Sequence, residues 1–236
     1  MAAASLVAAL GAAPSTVADP LAFEEGWSLE AGAASFGVAL ADIDLDGDLD
    51  IYIADQEGAD RLWINTGVGN FIASAQRLDA GSGVGPILAP LDGDLFPDLW
   101  LPGHLGANGV YLNDGTGQLG FAQSAGVFAP RRGAAAGDLD GDGDLDIVAP
   151  TDGFGTPNDI FFNDGLGQFT QAGQGTGSTI GRTPALGDVD GDGDLDAVVG
   201  MSSTEGLWLN DGAGGFTDAG VNLGGASSYD LALADL

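Results

Sequence analysis

A nine-residue acidic pattern recurs along this chain at a nearly constant interval. It reads D-x-D-x-D-G-x-x-D and starts at Asp42, Asp138 and Asp188, and a weaker copy starts at Pro90, with Leu95 in place of the glycine. Alternating aspartates can converge on one point if the backbone curls, and glycine at the sixth place permits the positive φ that a sharp curl needs. Three full copies with one spacing favour cation-binding loops over ordinary polar turns.

Calcium is the predicted ion, because hard cations take six to eight oxygen ligands from carboxylates, carbonyls and water. The ninth-place aspartate is expected to close the ligand shell, and the seventh-place residue to offer its backbone carbonyl. The sequence predicts about three calcium sites and a weaker fourth one. The candidate ligands of the three full loops are Asp42, Asp44, Asp46, Asp48, Asp50, Asp138, Asp140, Asp142, Asp144, Asp146, Asp188, Asp190, Asp192, Asp194 and Asp196. The candidate ligands of the weaker loop are Asp92, Asp94 and Asp98.

The charge of the chain points in the same direction. It has 35 acidic residues against five arginines, and its formal net charge is −30. Nucleic acid and anionic membrane surfaces are therefore poor partners. Two like charges about 5 Å apart in water repel by roughly 0.8 kcal/mol, so five crowded carboxylates cost several kcal/mol per loop. The loops are expected to need cations, while the 44% of hydrophobic residues indicates a folded chain.

The repeat unit is about 48 residues long, because the loops start at positions 42, 90, 138, 188 and 235. A second motif keeps the same step. It is an apolar-aromatic-apolar triplet ending in asparagine, followed by a glycine-rich turn, and the four asparagines are Asn65, Asn113, Asn163 and Asn210. Two motifs in phase indicate a structural repeat.

Each unit shows strand and turn signals, with no sustained helical periodicity. A small-residue strand such as 37–41 leads into the acidic loop, an apolar run such as 49–54 leaves it, and the aromatic triplet and the segment after the turn supply two more strands. The prediction is an all-β chain, a β-propeller of four-stranded blades. The aromatic residues of the triplets are predicted to form core between blades, the alternative being a row that stacks on a ligand; they are Trp63, Tyr111, Phe161 and Trp208.

These two motifs resemble the FG-GAP/VCBS repeats of bacterial surface proteins, which are related to the calcium-binding blades of integrin α subunits. The resemblance covers residues 21–236, although only Phe36-Gly37 matches the FG of the name and no Gly-Ala-Pro occurs. It implies calcium ligation by Asp42, Asp44, Asp46, the carbonyl of Asp48, and Asp50, and by the corresponding residues of the loops that start at Asp138 and Asp188. It also implies adhesion or ligand binding as the function.

The two ends of the chain are predicted to differ in their place within the repeat. Phe23 precedes the first loop as Phe71 precedes the second, so 21–30 is expected to be the last strand of a blade and 229–236 the first strand of another. The expectation is a partial array of four repeat units plus a terminal strand, completed by the remaining blades of a longer chain. A closed ring of four or five blades is the alternative.

The N-terminus suggests a location outside the cell. Residues 1–13 are rich in alanine, and Thr16 and Ala18 occupy the −3 and −1 places of a signal-peptidase site, without a basic region before them. We expect residues 1–18 to be a signal peptide or leader, 19–236 to be a single propeller domain, and the protein to be secreted or on a bacterial cell surface. No stretch has the length for membrane insertion.

The function predicted from the sequence is that of a calcium-binding extracellular module for an unidentified protein or glycan ligand. Catalysis has little support, because His104 is the only histidine and the chain has no cysteine. One alternative is a carbohydrate-active enzyme of the polysaccharide lyase type, for which Arg131-Arg132 is the only adjacent basic pair, predicted to be solvated in a loop. The other alternative is a structural spacer in a large surface protein.

Overall fold

The computed structural model describes residues 35–55, 59–76, 78, 84–103, 106–127, 129–153, 158–172, 181–202, 205–224 and 228–234. These residues form strands in four consecutive groups of four, and each group is one antiparallel sheet in chain order. The prediction of an all-β chain with four-stranded blades is confirmed. The described residues contain no helix that is long and apolar enough to cross a membrane.

The blades follow one another along the chain. Blade 1 contains β1 (Ser35–Ala41), β2 (Asp50–Asp55), β3 (Arg61–Asn65) and β4 (Phe71–Ala73). Blade 2 contains β5 (Ile87–Ala89), β6 (Asp98–Leu101), β7 (Asn108–Asn113) and β8 (Leu119–Ala125). Blade 3 contains β9 (Ala135–Gly137), β10 (Asp146–Ala149), β11 (Asp159–Asn163) and β12 (Phe169–Gln171). Blade 4 contains β13 (Gly181–Gly187), β14 (Asp196–Met201), β15 (Gly206–Asn210) and β16 (Phe216–Asn222).

The second strand of each blade is the most deeply buried. Strands β6, β10 and β14 are buried at every position. A strand that is covered on both faces needs apolar side chains at successive positions, as in Ile147-Val148-Ala149, because successive side chains point to opposite faces. The sheets are therefore stacked on one another as blades, with neighbours on both sides of the central strands.

The first strands line the inside of the array. Strands β1 and β5, β5 and β9, and β9 and β13 contact each other in turn. The approach is close at Gly37 on β1, where a Cβ atom would lie 2.6 Å from the backbone nitrogen of Gly85. Only glycine fits this contact, which places the first strands at the axis of a propeller.

The hydrophobic core lies between the blades. Tyr111 packs in a cluster with Ile43 and Tyr52 of blade 1, and Phe161 packs in a cluster with Trp100 and Leu91 of blade 2. The prediction of inter-blade core is thus confirmed for Tyr111 and Phe161.

The other two aromatics of the triplets differ from this prediction. Trp208 is buried, but its cluster consists of Val199, Met201 and Phe216 of its own blade. Trp63 is only partly buried and belongs to no buried cluster of the described residues. The prediction of inter-blade core thus holds for two of the four aromatic residues.

Glutamine side chains join neighbouring blades at their outer strands. The Gln76 amide donates to the Gly117 carbonyl (2.7 Å) and accepts from the Leu119 N–H (2.8 Å). One blade later, Gln123 makes the same pair of bonds to the carbonyl and N–H of Phe169, both 2.8 Å long. A carboxamide satisfies both groups of the edge strand at once, so each bond pair fixes the register of one blade on the next.

The predicted terminal strand is wrong for the part that the structure describes, since residues 228–234 form no strand. They nevertheless lie beside blade 4: the Thr183 hydroxyl donates to the Tyr229 carbonyl (2.9 Å), and the Arg182 guanidinium stacks on the Tyr229 ring. The predicted leader 1–18, the predicted strand 21–30, His104 and Asp235 lie outside the described residues.

Candidate metal centres

All four acidic loops occupy the same place in their blades, between the first and the second strand. The asparagine turns connect the third and the fourth strand, and in an antiparallel meander these two connections share one end of the sheet. The loops and turns of all blades therefore gather on one face of the array. Most of the carboxylates of the chain lie on this face.

Three carboxylates converge in each loop. In the full loops they come from the first, third and ninth places, with ligand oxygens within 4.8 Å of one another, and the sets are Asp42, Asp44 and Asp50; Asp138, Asp140 and Asp146; and Asp188, Asp190 and Asp196. This spacing suits oxygen atoms that share one cation. The Asp44 Oδ1 atom also suits a cation, because it is buried and has no hydrogen-bond partner.

The fifth- and seventh-place aspartates of the full loops lie outside these clusters. Each fifth-place carboxylate, those of Asp46, Asp142 and Asp192, accepts the seventh-place N–H at 3.0 Å. The side chains of Asp144 and Asp194 lie against the glycines of their turns, where a Cβ atom would clash with the carboxylate. Of the predicted carboxylate ligands, the structure thus brings together those of the first, third and ninth places, while the seventh place is predicted to bind through its backbone carbonyl.

The first-place carboxylate also organises the loop backbone. Asp138 accepts from the Gly141 N–H (2.8 Å) and the Gly143 N–H (3.1 Å), and Asp188 accepts from Gly191 and Gly193 in the same way. Charge-assisted bonds of this kind hold a curled backbone strongly. The first place therefore shapes the loop in addition to offering ligand oxygens.

The ninth-place aspartate is the structural centre of each loop. Asp146 is fully buried, and its carboxylate accepts from the N–H groups of Leu139 (2.9 Å) and Asn163 (2.8 Å). The equivalent bonds are present at the other three ninth-place residues, Asp50, Asp98 and Asp196. This carboxylate ties the start of the loop to the end of the third strand, a role that the sequence did not reveal.

Burial affects the protonation of these carboxyl groups. Desolvation raises the pKa of Asp98 and Asp146 to about 6, and it also raises the pKa of Asp50, while the backbone N–H bonds oppose the shift. A cation at the cluster would favour the charged form. The ninth place is thus a desolvated carboxylate next to two further carboxylates, an arrangement that a bound cation would stabilise.

The weaker loop forms a cluster as well, from a different set of places. Asp92, Asp94 and Asp98 hold the third, fifth and ninth places, and their oxygens meet the same 4.8 Å limit. The fifth place joins the cluster in this loop, where proline occupies the first place. Loop 2 therefore offers a cluster of three carboxylates, as the others do, although its sequence has three candidate ligands instead of five.

The glycines at the sixth place have the predicted positive φ. Its value is +98° at Gly47, +97° at Gly143 and +101° at Gly193. The fourth place also has positive φ in every loop, a feature that the sequence analysis missed; the residues are Leu45, Gly93, Gly141 and Gly191. The glycine repeated in Asp-Gly-Asp-Gly-Asp was an available signal for it.

Alanine at Gly143 is expected to destabilise loop 3. A Cβ atom at this position would have no other atom within 4 Å, so the cost comes from the positive φ alone, about 1–3 kcal/mol. The matched control is Leu95→Ala, because Leu95 holds the same place in loop 2, is exposed and does not have positive φ. Urea unfolding of both variants should show a clear loss for Gly143→Ala and almost none for Leu95→Ala. Equal losses would contradict the strain argument.

Arg131 is not solvated, contrary to prediction, whereas Arg132 is exposed as predicted. Arg131 is fully buried, forms an ion pair with Asp159 and donates to the Ala129 carbonyl (3.1 Å). Arg132 forms an ion pair with Asp152. Both guanidinium groups thus have a carboxylate partner. The buried Arg131 needs its carboxylate and carbonyl acceptors to offset its desolvation.

Comparison with solved structures places this arrangement among known propellers. A lectin from Agrocybe aegerita, described as recognising non-reducing terminal N-acetylglucosamine, is 25% identical with a TM-score of 0.54, and the match covers 75% of this chain and 49% of the lectin. Two crystal structures of BBS1N in complex with ARL6DN are 13% and 12% identical, with TM-scores of 0.54 and 0.58. They match 80% and 81% of this chain and 54% and 57% of their own. The BBS1N likeness shows the fold alone.

The chain spans about half the length of these solved structures. No curated protein sequence matches it. The model of the FG-GAP-like repeat matches residues 42–101, 91–149 and 138–199, so that consecutive matches overlap and together cover more than half of the chain. The chain belongs to the FG-GAP-like repeat family.

Proposed function

We propose that this chain is a calcium-binding β-propeller module in which calcium is structural. The observation that carries the proposal is the recurrence of a three-carboxylate cluster with a fully buried ninth-place aspartate at the same end of all four described blades. Calcium accepts irregular oxygen shells, whereas magnesium demands near-ideal octahedral geometry and retains water. Loops with carboxylates, backbone carbonyls and exposed positions for water suit calcium better.

The module acts in ligand binding, and we propose that it does so outside the cell or on the cell surface. Extracellular calcium modules bind at about 10⁻⁴–10⁻³ M, which suits loops with one buried carboxylate and two that are partly or fully exposed. A net charge of −30 disfavours nucleic acid and other polyanions. The ligand is a protein or a neutral glycan, and the likeness to a lectin at 25% identity supports a glycan.

We propose binding rather than catalysis, and what supports this is the state of the adjacent arginine pair. A lyase needs free cations beside an acidic sugar, but Arg131 and Arg132 are both held in ion pairs. Function does not follow from fold, so a carbohydrate-active enzyme remains an alternative for test. A structural spacer would bind neither glycan nor protein.

An array of glycans and matrix proteins, probed in calcium and in chelator, tests the proposal. We expect calcium-dependent retention of the protein on one ligand class, because calcium orders the face formed by loops and turns. The test variant is Asp188→Ala, which removes a candidate ligand of loop 4. The matched control is Asp218→Ala, because Asp218 is an exposed residue of β16. Retention that is indifferent to calcium would contradict the structural role of the ion, and release of an unsaturated sugar product would establish the enzyme alternative.

A further inference from the structure

Three asparagine side chains connect each blade to the acidic loop of the blade before it. The Nδ2 group of Asn113 donates to the Ile43 carbonyl at 2.8 Å. The same bond joins Asn163 to Leu91 at 2.7 Å and Asn210 to Leu139 at 2.8 Å. The acceptor is always the second residue of the preceding loop, and the asparagines are buried. We call these three bonds the asparagine links.

The acceptor residue is also bonded to the carboxylate cluster of its own loop. Ile43 donates its N–H to the Asp50 carboxylate (2.8 Å) while its carbonyl accepts from Asn113. Leu139 is placed in the same way between Asp146 and Asn210. A movement of the second residue would therefore disturb the ninth-place carboxylate on one side and the next blade on the other.

Each linking asparagine is bonded in turn to the next cluster. The backbone N–H of Asn113 donates to the Asp98 carboxylate at 2.7 Å, and Leu91, which Asn163 contacts, donates to the same carboxylate. Repetition of this pattern gives an unbroken series of hydrogen bonds from Asp50 through Asp98 and Asp146 to Asp196. All four clusters lie on this one series.

We propose that Asn113, Asn163 and Asn210 are positioning residues that couple cation binding in one blade to the next blade. The inference rests on the proposed function. A cation that fixes the loop also fixes the second-place carbonyl at the position that the asparagine requires, and a docked asparagine holds the loop in its cation-binding form. Coupling of this kind is reciprocal, so each partner strengthens the other by the same factor.

Asn65 provides a matched control within the same chain. Its Nδ2 group donates to the Leu49 carbonyl of its own blade (3.3 Å), as Asn113 donates to the Pro97 carbonyl (3.2 Å). In the part of the chain that the structure describes, Asn65 makes no bond to another blade. Asn65→Ala and Asn113→Ala thus both remove a bond within a blade, and only Asn113→Ala also removes a link between blades. The Asn113 side chain also accepts from the N–H groups of Gly115 and Gly117, while the Asn65 side chain accepts from that of Gly67.

Calcium titration in a background with one complete loop tests the coupling. Asp138→Ala and Asp188→Ala together leave loop 1 as the complete loop, and calorimetry then reports its affinity. We expect Asn113→Ala to weaken calcium binding about fivefold, the change that corresponds to about 1 kcal/mol for one buried hydrogen bond. We expect Asn65→Ala to change it less than about twofold.

Hydrogen exchange of side-chain amides is a second test, and it can be made on the wild-type protein if an asparagine variant folds poorly. In the wild-type protein, calcium should slow exchange of the Asn113 side-chain protons, and Asp42→Ala should abolish this effect although Asp42 lies in the other blade. Equal calcium affinities of the two asparagine variants, or side-chain exchange that ignores calcium, would overturn the coupling while leaving calcium binding intact. A wild-type protein that takes up no calcium would instead overturn the proposed function.

Discussion

Calcium is expected to raise the midpoint of thermal unfolding by about 10 °C. At a tenfold excess over the dissociation constant, linkage gives roughly 1.4 kcal/mol per site, and about 4 kcal/mol for the three full loops. For a chain of this size each kcal/mol corresponds to about 2–4 °C. The physical reason is the crowding of carboxylates, since each loop gathers three within 4.8 Å and has further aspartates beside them.

The measurement is a pair of melting curves, one in millimolar calcium and one in chelator. Magnesium chloride at the same concentration is the control, because it screens the surface charges equally but fits an irregular oxygen shell poorly. Equal unfolding midpoints in calcium and magnesium would show that the stabilisation comes from charge screening and not from specific binding. An unfolding midpoint that is the same in calcium and in chelator would contradict the structural role of the ion.

The repeat could be predicted from the sequence because its two motifs are local and in phase. The strand that enters each loop, the positive φ at Gly47 and the turn after Asn113 all depend on residues within one unit. Such features leave a pattern in neighbouring positions. The four-stranded blade follows from them directly.

Contacts between units left no such pattern. The asparagine links join residues 70 or more positions apart, such as Asn113 and Ile43, or Asn163 and Leu91, and the sequence identified those asparagines only as the ends of a triplet. The buried Arg131 was expected to be solvated because its partner Asp159 lies 28 positions away. Leucine itself gives no turn signal, so the positive φ of Leu45 could be inferred only from the glycines at the same place in the other loops.

The ninth-place aspartate offers the other large effect, and it separates the structural role of the carboxylate from cation binding. Without calcium, Asp146→Ala removes the acceptor of two buried N–H groups, and Asp98→Ala does the same in blade 2. A buried N–H left without a partner costs about 1–3 kcal/mol. The substitution also removes a buried charge that is costly to desolvate, and this offsets part of the loss. We therefore expect each variant to lose about 2–4 kcal/mol of unfolding free energy.

In calcium the two variants should differ. Asp146→Ala destroys a full site, so calorimetry should show one calcium fewer, whereas Asp98→Ala should change the stoichiometry little, because loop 2 has proline at its first place and offers fewer candidate ligands. Asp142→Ala is the control for both, since this exposed carboxylate accepts one N–H at the loop surface and its removal should cost little stability without calcium. If Asp98→Ala also loses one calcium, the three carboxylates of loop 2 are a true site, and the cluster geometry outweighs the missing first ligand.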